Sequence, residues 1–214
     1  MLLLAIDTSA GTSVALVDGE RVVAEAAETD TRRHAEAIDG LLVDVLEGGR
    51  RAGVDPARIA AVVAGMGPGP FTGLRVGIAA ARAFALGRGI PVHPLGSHDA
   101  VAADRRDPVL VVTDARRREV AWSAYDGLDP DGLPALVAGP ALASPAALAE
   151  AVASAAAGDA DRFARLDPDG IPAAALARLA ARRLAAGRGF DALAPLYLRA
   201  PDVTPSAGPK RVTA

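Results

Sequence analysis

The chain has no cysteine among its 214 residues. That excludes a disulfide framework, a thiolate nucleophile, a Cys-ligated zinc and an iron–sulfur cluster, and it points to a reducing compartment. Aromatic residues reach only 3%, and lysine occurs once, at Lys210. With 51% hydrophobic residues, the core must therefore be built mainly of alanine and small aliphatics. The basic charge is nearly all arginine, and the net charge of −3 argues against a stand-alone nucleic-acid binder, which normally carries a strong basic excess. There is no long apolar run either. Met1-Leu2-Leu3-Leu4-Ala5-Ile6 lacks a basic flank and meets Asp7 too early for a signal-peptide core, and Arg82 interrupts the most apolar later stretch. These features predict a soluble cytoplasmic protein. The histidines are His34, His93 and His98, and Ile38, Ser97 and Ala102 stand four positions after them, so no helix offers a His pair to a metal.

What is present divides into two parts. Leu2 to Ile6 is a short apolar run, Thr12 to Val17 and Arg21 to Glu28 alternate, and Asp18-Gly19 turns between the latter two, which predicts an antiparallel meander. From His34 to Glu47 the period becomes helical, with Gly48-Gly49 as the expected end. Asp55-Pro56 opens a short turn before the buried-strand run Ala61 to Ala64. After a glycine loop, Gly73 to Leu86 reads as a helix that is small or apolar nearly all round, with Thr72 as its cap. Pro91 to Leu95 is a further strand, followed by a short helix capped by Ser97. The polar stretch Asp104 to Asp107 marks a lobe boundary, giving lobes over 1–104 and 105–199. The second lobe is expected to hold strands at Val109 to Val112 and Val120 to Tyr125, a Gly/Pro/Asp connector, a helix from Ala146 and another after Pro172. The order βββαβα followed by a shorter α/β half implies mixed sheets flanked by helices. Pro201, Pro205 and Pro209 predict a disordered tail over 200–214.

Four groups of residues can carry function, and each has a purely structural alternative. Asp7-Thr8-Ser9 follows an apolar strand, where hydroxyls, backbone N–H groups and a carboxylate can hold a phosphate or magnesium ion; an Asx or ST turn uses the same residues. Gly67-Pro68-Gly69-Pro70-Phe71-Thr72-Gly73-Leu74-Arg75 links a strand to a helix, the position where phosphates bind. Its spacing is that of neither a P-loop nor a dinucleotide fingerprint, and Pro68 and Pro70 remove two donors, so a rigid shaped loop fits it better. Gly73, Gly77, Ala81 and Ala85 form a small-residue stripe that allows close approach of a helix, from a partner or from this chain. Arg116-Arg117-Arg118 suits RNA phosphate or an acidic partner, or a solvated turn. Ser97-His98-Asp99 has the residue types of a triad, but consecutive residues diverge on a helix and cannot form the relay.

Taken together, Leu3-Leu4-Ala5-Ile6-Asp7-Thr8-Ser9, His34-Ala35-Glu36, the loop from Gly67 to Gly77, Asp114-Ala115-Arg116-Arg117-Arg118-Glu119-Val120 and Pro195-Leu196-Tyr197-Leu198-Arg199 resemble the TsaB family, also called YeaZ. Gly67, Gly69, Phe71, Thr72, Gly73 and Arg75 are its signature loop, with Pro70 where serine is usual. The resemblance implies an α/β fold of two RNase H-like lobes from the actin/Hsp70/sugar-kinase (ASKHA) superfamily. It implies a non-catalytic subunit needed to form N6-threonylcarbamoyladenosine at position 37 of tRNAs that read codons starting with A. Its partners would be TsaD, the catalytic paralogue, and the ATPase TsaE, with tRNA met only through the complex and a homodimer possible alone. ATP and a metal belong to TsaD and TsaE, and this chain is expected to hold no cofactor. The His-xxx-His metal pair of TsaD aligns with Ser97 and Val101, which leaves a metalloprotease reading without ligands. Asp7, Thr8 and Ser9 become half of a vestigial nucleotide clamp. The implied partner contact lies on the helices starting at His34 and Gly73, with Ile38, Leu41, Val45, Gly73, Gly77, Ala81 and Ala85 near it. The competing expectation is an active ASKHA-type small ATPase or phosphotransferase using the Asp7-Thr8-Ser9 turn.

Overall fold

Alternation along the first strands decides the architecture of this computed structural model, which describes residues 1–30, 33–158, 160–190 and 192–199. The tail expected from 200 onward lies outside the described residues. Strands β1 (Leu2–Asp7), β2 (Thr12–Asp18), β3 (Arg21–Glu28), β4 (Ala61–Gly65) and β5 (Val92–Leu95) form one sheet in the order β3-β2-β1-β4-β5. β2 is antiparallel to both β1 and β3, whereas β4 runs parallel to β1 and β5. Because successive side chains point to opposite faces, Leu2, Leu4, Ile6, Val14, Leu16, Val62 and Ala64 line one face. Leu3, Ala5, Ala15, Val17, Ala61 and Val63 line the other. A sheet apolar on both sides must be covered on both sides. Helices α1 (His34–Arg51) and α2 (Phe71–Arg88) cover the first face.

The second sheet has the order β8-β7-β6-β9, from β6 (Pro108–Asp114), β7 (Val120–Leu128), β8 (Pro134–Ala143) and β9 (Ala164–Leu166). Helix α4 (Leu148–Ala155) packs on its Leu110, Val112 and Trp122 face. The short helix α3 (Ser97–Ala102) lies between the sheets, with Val101 and Ala102 against Val109, Val111 and Tyr125. This is the mixed-sheet, helix-flanked arrangement of two RNase H-like layers. Among the described residues, no helix is long and apolar enough to cross a membrane.

Several expectations need correction. The two sheets fall on either side of residue 104, but 105–199 is not a self-contained lobe. Helix α5 (Ala173–Ala185) returns to the first sheet, where Ile171, Leu176 and Leu179 complete the core of Leu3, Val17 and Val63. Helix α1 does not stop at Gly48-Gly49 but runs through to Arg51. A side chain at Gly49 would strike Leu16, so packing outweighs the glycine cost of about 1 kcal/mol in a helix. Helix α2 starts at Phe71 with Pro70 in the cap position, and Thr72 does not cap it. The connector expected after Tyr125 contains β8, an edge strand. Pro134, Gly139 and Pro140 read as breakers, yet an edge tolerates proline, and Gly139 and Pro140 fall in the irregular register between Ala138 and Ala141.

If α5 belongs to the first core, Leu176→Ala should cost about 2–5 kcal/mol in urea unfolding followed by circular dichroism. A cost near zero would show that α5 is dispensable to that core.

Candidate functional site

The end of β1 was the first candidate, and the structure closes it. Asp7 is 1% exposed. Its Oδ1 accepts the backbone N–H of Ser9 at 2.7 Å, and its Oδ2 accepts the Ser97 hydroxyl at 2.5 Å. With the Ser97 proton given to Asp7, the 2.7 Å contact between the two serine hydroxyls makes Ser9 the donor to Ser97. Ser97 Oγ also accepts the Gly67 N–H at 2.9 Å, and Ser97 N–H donates to Gly67 O at 2.7 Å. Burial pushes the Asp7 carboxyl up from its ordinary value, and hydrogen bonds from Ser97 and Ser9 offset part of that rise. Ser97 is thus no helix cap: Gly96 occupies the cap position and makes no side-chain cap bond. Ser97 joins β1, the glycine loop and α3.

Thr8 is consumed in the same way. Its hydroxyl donates to Gly73 O at 2.7 Å and accepts from Gly77 N–H at 3.1 Å. A Cβ at Gly77 would collide with that hydroxyl, so the glycine is what lets the turn press onto α2. The turn therefore serves as a structural plug, and neither Asp7 nor Thr8 faces a space that a magnesium ion or phosphate can enter.

The expected contact stripe also points inward. Gly73 meets Thr8 and His34, Gly77 meets Thr8, and Ala81 and Ala85 sit in the core with Ile38 and Val45. Leu41 is half-buried against the same cluster. The small residues admit this chain's own turn and sheet rather than a foreign helix. What α1 and α2 present outward is different: Val43 is 53% and Leu86 86% exposed.

Helix α3 places its three polar residues on three different partners. Ser97 turns to Asp7. His98 is buried, with Nδ1 2.9 Å from Ser123 Oγ and Nε2 2.9 Å from Thr113 Oγ1. Asp99 Oδ1 accepts the Tyr125 hydroxyl at 2.7 Å. The three therefore rivet the first sheet to the second. Burial pushes His98 down to about 3. His34 is also lowered, by burial and then by the Arg116 charge, partly offset by Asp30. Its Nδ1 lies 2.9 Å from Thr12 Oγ1, and its Nε2 is buried without a partner among the described residues.

The signature loop, the arginine turn and the 195–199 segment were read separately in the sequence, and the fold brings them together. They enclose a cleft of about 330 Å³ lined by Pro68 to Phe71, Ala115 to Arg117, Ala121, Leu142 and Tyr197 to Arg199. Phe71 packs on Tyr197 with ring centroids 4.6 Å apart, Arg75 lies 3.7 Å over the Phe71 ring, and Arg75 Nε donates to the Tyr197 hydroxyl at 2.9 Å. Leu196 N–H donates to Met66 O at 2.8 Å, and Arg199 pairs with Glu119. Nothing in the spacing of these segments announced the cleft, because its walls come from separate segments spread between residues 68 and 199.

Comparison with known proteins follows the same outline. The family described as TsaD, tRNA N6-adenosine threonylcarbamoyltransferase, matches residues 21–164. An uncharacterised protein of Mycobacterium tuberculosis is 38% identical over 217 residues, covering 95% of this chain and 94% of that protein. The tRNA threonylcarbamoyladenosine biosynthesis protein TsaB of Escherichia coli is 37% identical over 131 residues, covering 58% of this chain and 55% of that protein. Among solved structures, YeaZ from Pseudomonas aeruginosa superposes with a TM-score of 0.68 at 28% identity, covering 92% of this chain and 99% of that one.

Two measurements test this geometry. Gly77→Ala should destabilise the protein by about 1–3 kcal/mol through overpacking, and the Thr8→Ala background should recover part of the loss; strict additivity would refute the plug. His98 titrates lower in the folded than in the unfolded chain, so its contribution is whole above the ordinary value of 6.5 and falls as pH drops toward about 3. The urea midpoint should therefore fall between about pH 7 and about pH 4, and His98→Gln should flatten that slope.

Proposed function

This chain belongs to the TsaB (YeaZ) family, and from that membership we propose that it is a non-catalytic scaffold subunit in forming N6-threonylcarbamoyladenosine on tRNAs that read codons starting with A. It works in the cytoplasm by binding TsaD and, together with TsaE, holding TsaD in its competent shape. It meets tRNA only through that complex and carries no cofactor of its own; ATP and a metal act on TsaD and TsaE.

One observation supports the non-catalytic part: the carboxylate and hydroxyls of the 7–9 turn are buried and spent on Ser97, Gly73 and Gly77. A group that substrate cannot reach cannot orient a metal or a phosphate. The tRNA part is supported by the names of relatives from Escherichia coli, Haemophilus influenzae and Bacillus subtilis, all threonylcarbamoyladenosine biosynthesis proteins.

The partner surface is the outer side of α1 and α2, where Val43 and Leu86 stand exposed. A large exposed aliphatic side chain such as Leu86 gains free energy when covered. Two related subunits using equivalent faces form a pseudo-twofold pair, and an isolated copy can use the same face to form a homodimer.

Reconstitution tests this reading. TsaC, TsaD, TsaE, tRNA, ATP, bicarbonate and threonine should yield threonylcarbamoyladenosine only when this chain is added; equal yield without it removes the scaffold role. Asp7→Asn should retain the stimulation, since asparagine can satisfy Ser9 and Ser97, whereas an ATPase built on Asp7 would lose it. Leu86→Glu should weaken TsaD association by about tenfold or more without lowering the melting temperature.

A further inference from the structure

The cleft between the signature loop and the arginine turn has no part in the scaffold contact on α1 and α2. Pro70, Leu142 and Leu198 give its lining an apolar, half-buried part, Arg116 and Arg117 are its exposed cations, and Arg199 is already paired with Glu119. No acidic side chain is among its described lining residues, although the chain as a whole stands at −3. With Arg199 paired to Glu119, the positive charge at the cleft comes from Arg116 and Arg117. Both Arg116 and Arg117 also interact within the chain, and what they contribute to the cleft is their field.

The turn that holds these arginines is strained. Arg116, Arg117 and Arg118 have φ of 61°, 56° and 63°, three successive residues in a region that side-chain-bearing residues avoid. Glycine or asparagine would make such a turn at lower cost. The sequence instead puts long cationic side chains there, against the backbone preference. Three bonds hold the turn in place: Arg116 N–H donates to Asp114 Oδ1 at 3.0 Å, Ala115 N–H donates to Glu119 O at 3.0 Å, and Glu119 N–H donates to Arg116 O at 3.1 Å.

The lining selects among occupants. Phe71 and Tyr197 pack on each other, and Arg75 lies over Phe71, so these rings are engaged inside the chain. Single-stranded RNA is recognised largely by stacking on open aromatic faces, and here Phe71 and Tyr197 already give a face each to one another. An apolar lining suits an aliphatic side chain, and exposed cations suit carboxylates. About 330 Å³ is at the small end for a ligand site, and it accommodates one large side chain with its neighbours. We infer that this cleft is a docking site for an extended acidic segment of a protein partner, with an aliphatic side chain between Pro70, Leu142 and Leu198 and flanking carboxylates facing Arg116 and Arg117.

The inference is tested without TsaD or TsaE, so its failure leaves the scaffold reading untouched. The full chain is titrated with a fluorescent peptide of alternating glutamate and leucine, with the same peptide carrying lysine for glutamate, and with a single-stranded oligoribonucleotide. The acidic peptide should bind, weaken as salt is raised, and lose about tenfold or more in affinity with Arg117→Glu, while Arg117→Lys keeps most of it. Arg117 is exposed, so the charge reversal leaves the core intact, and circular dichroism checks this. Leu142→Ala should weaken binding by a factor that stays the same as salt is raised. The proposal is overturned if the acidic peptide fails to bind, if Arg117→Glu leaves its affinity unchanged, or if the lysine peptide or the oligoribonucleotide binds as tightly.

Discussion

Everything at the centre of this molecule depends on one buried contact, the Thr8 hydroxyl set into the first two turns of α2. A hydroxyl that donates to Gly73 O and accepts from Gly77 N–H is fully satisfied without water, and only glycine at 77 leaves room for it. That contact fixes how α2 lies on the sheet, and with it the direction in which the 68–71 loop leaves β4. Asp7 and Ser9, its neighbours, are then turned toward Ser97. A carboxylate in such a place is costly unless its oxygens are bonded, and the relay from Ser9 through Ser97 to Asp7 supplies those bonds.

From there the constraint passes to the second sheet. Ser97 begins α3, and the next two residues reach Ser123, Thr113 and Tyr125 on β6 and β7. A single short helix thus positions the turn between β6 and β7 relative to the glycine loop, and the cleft between them follows. The residue types of a catalytic triad stand side by side at 97–99, but each is used as an anchor. Chemistry-bearing residues have been turned into joints, which suits a protein whose proposed work is to hold another subunit.

The alanine-rich composition shapes the energetics. Helix α5 buries Ala173, Ala174, Ala175, Ala177 and Ala180, and small side chains let the helix lie close to the sheet while contributing little apolar area each. The larger side chains in that layer, Leu176, Leu179 and Ile171, therefore carry a disproportionate share of the burial. The same scarcity of bulk makes Trp122 the dominant side chain of the second core, even though its buried indole N–H has no partner among the described residues.

Much of the fold was legible in the sequence because it rests on local periodicity. The apolar run of β1, the alternation in β2 and β3, the helical period from His34 and the Asp55-Pro56 start are short-range signals, and each element formed where its pattern stood. The signature loop and the 195–199 segment were visible as motifs through their resemblance to the TsaB family. Where the sequence misled, the deciding force acted across distance. Gly48 and Gly49 look like a helix stop until Ala24 and Leu16 are seen beside them. Pro134 and Pro140 look like a connector until the strand proves to be an edge. The stripe Gly73, Gly77, Ala81 and Ala85 was recognisable as a close-approach face, but which surface approaches it was decided only when the Thr8 turn and the sheet filled the space. The cleft required three segments to be folded onto one another. A sequence specifies which faces are small, apolar or charged, and only tertiary packing decides whether such a face is spent inside the chain or left to a partner.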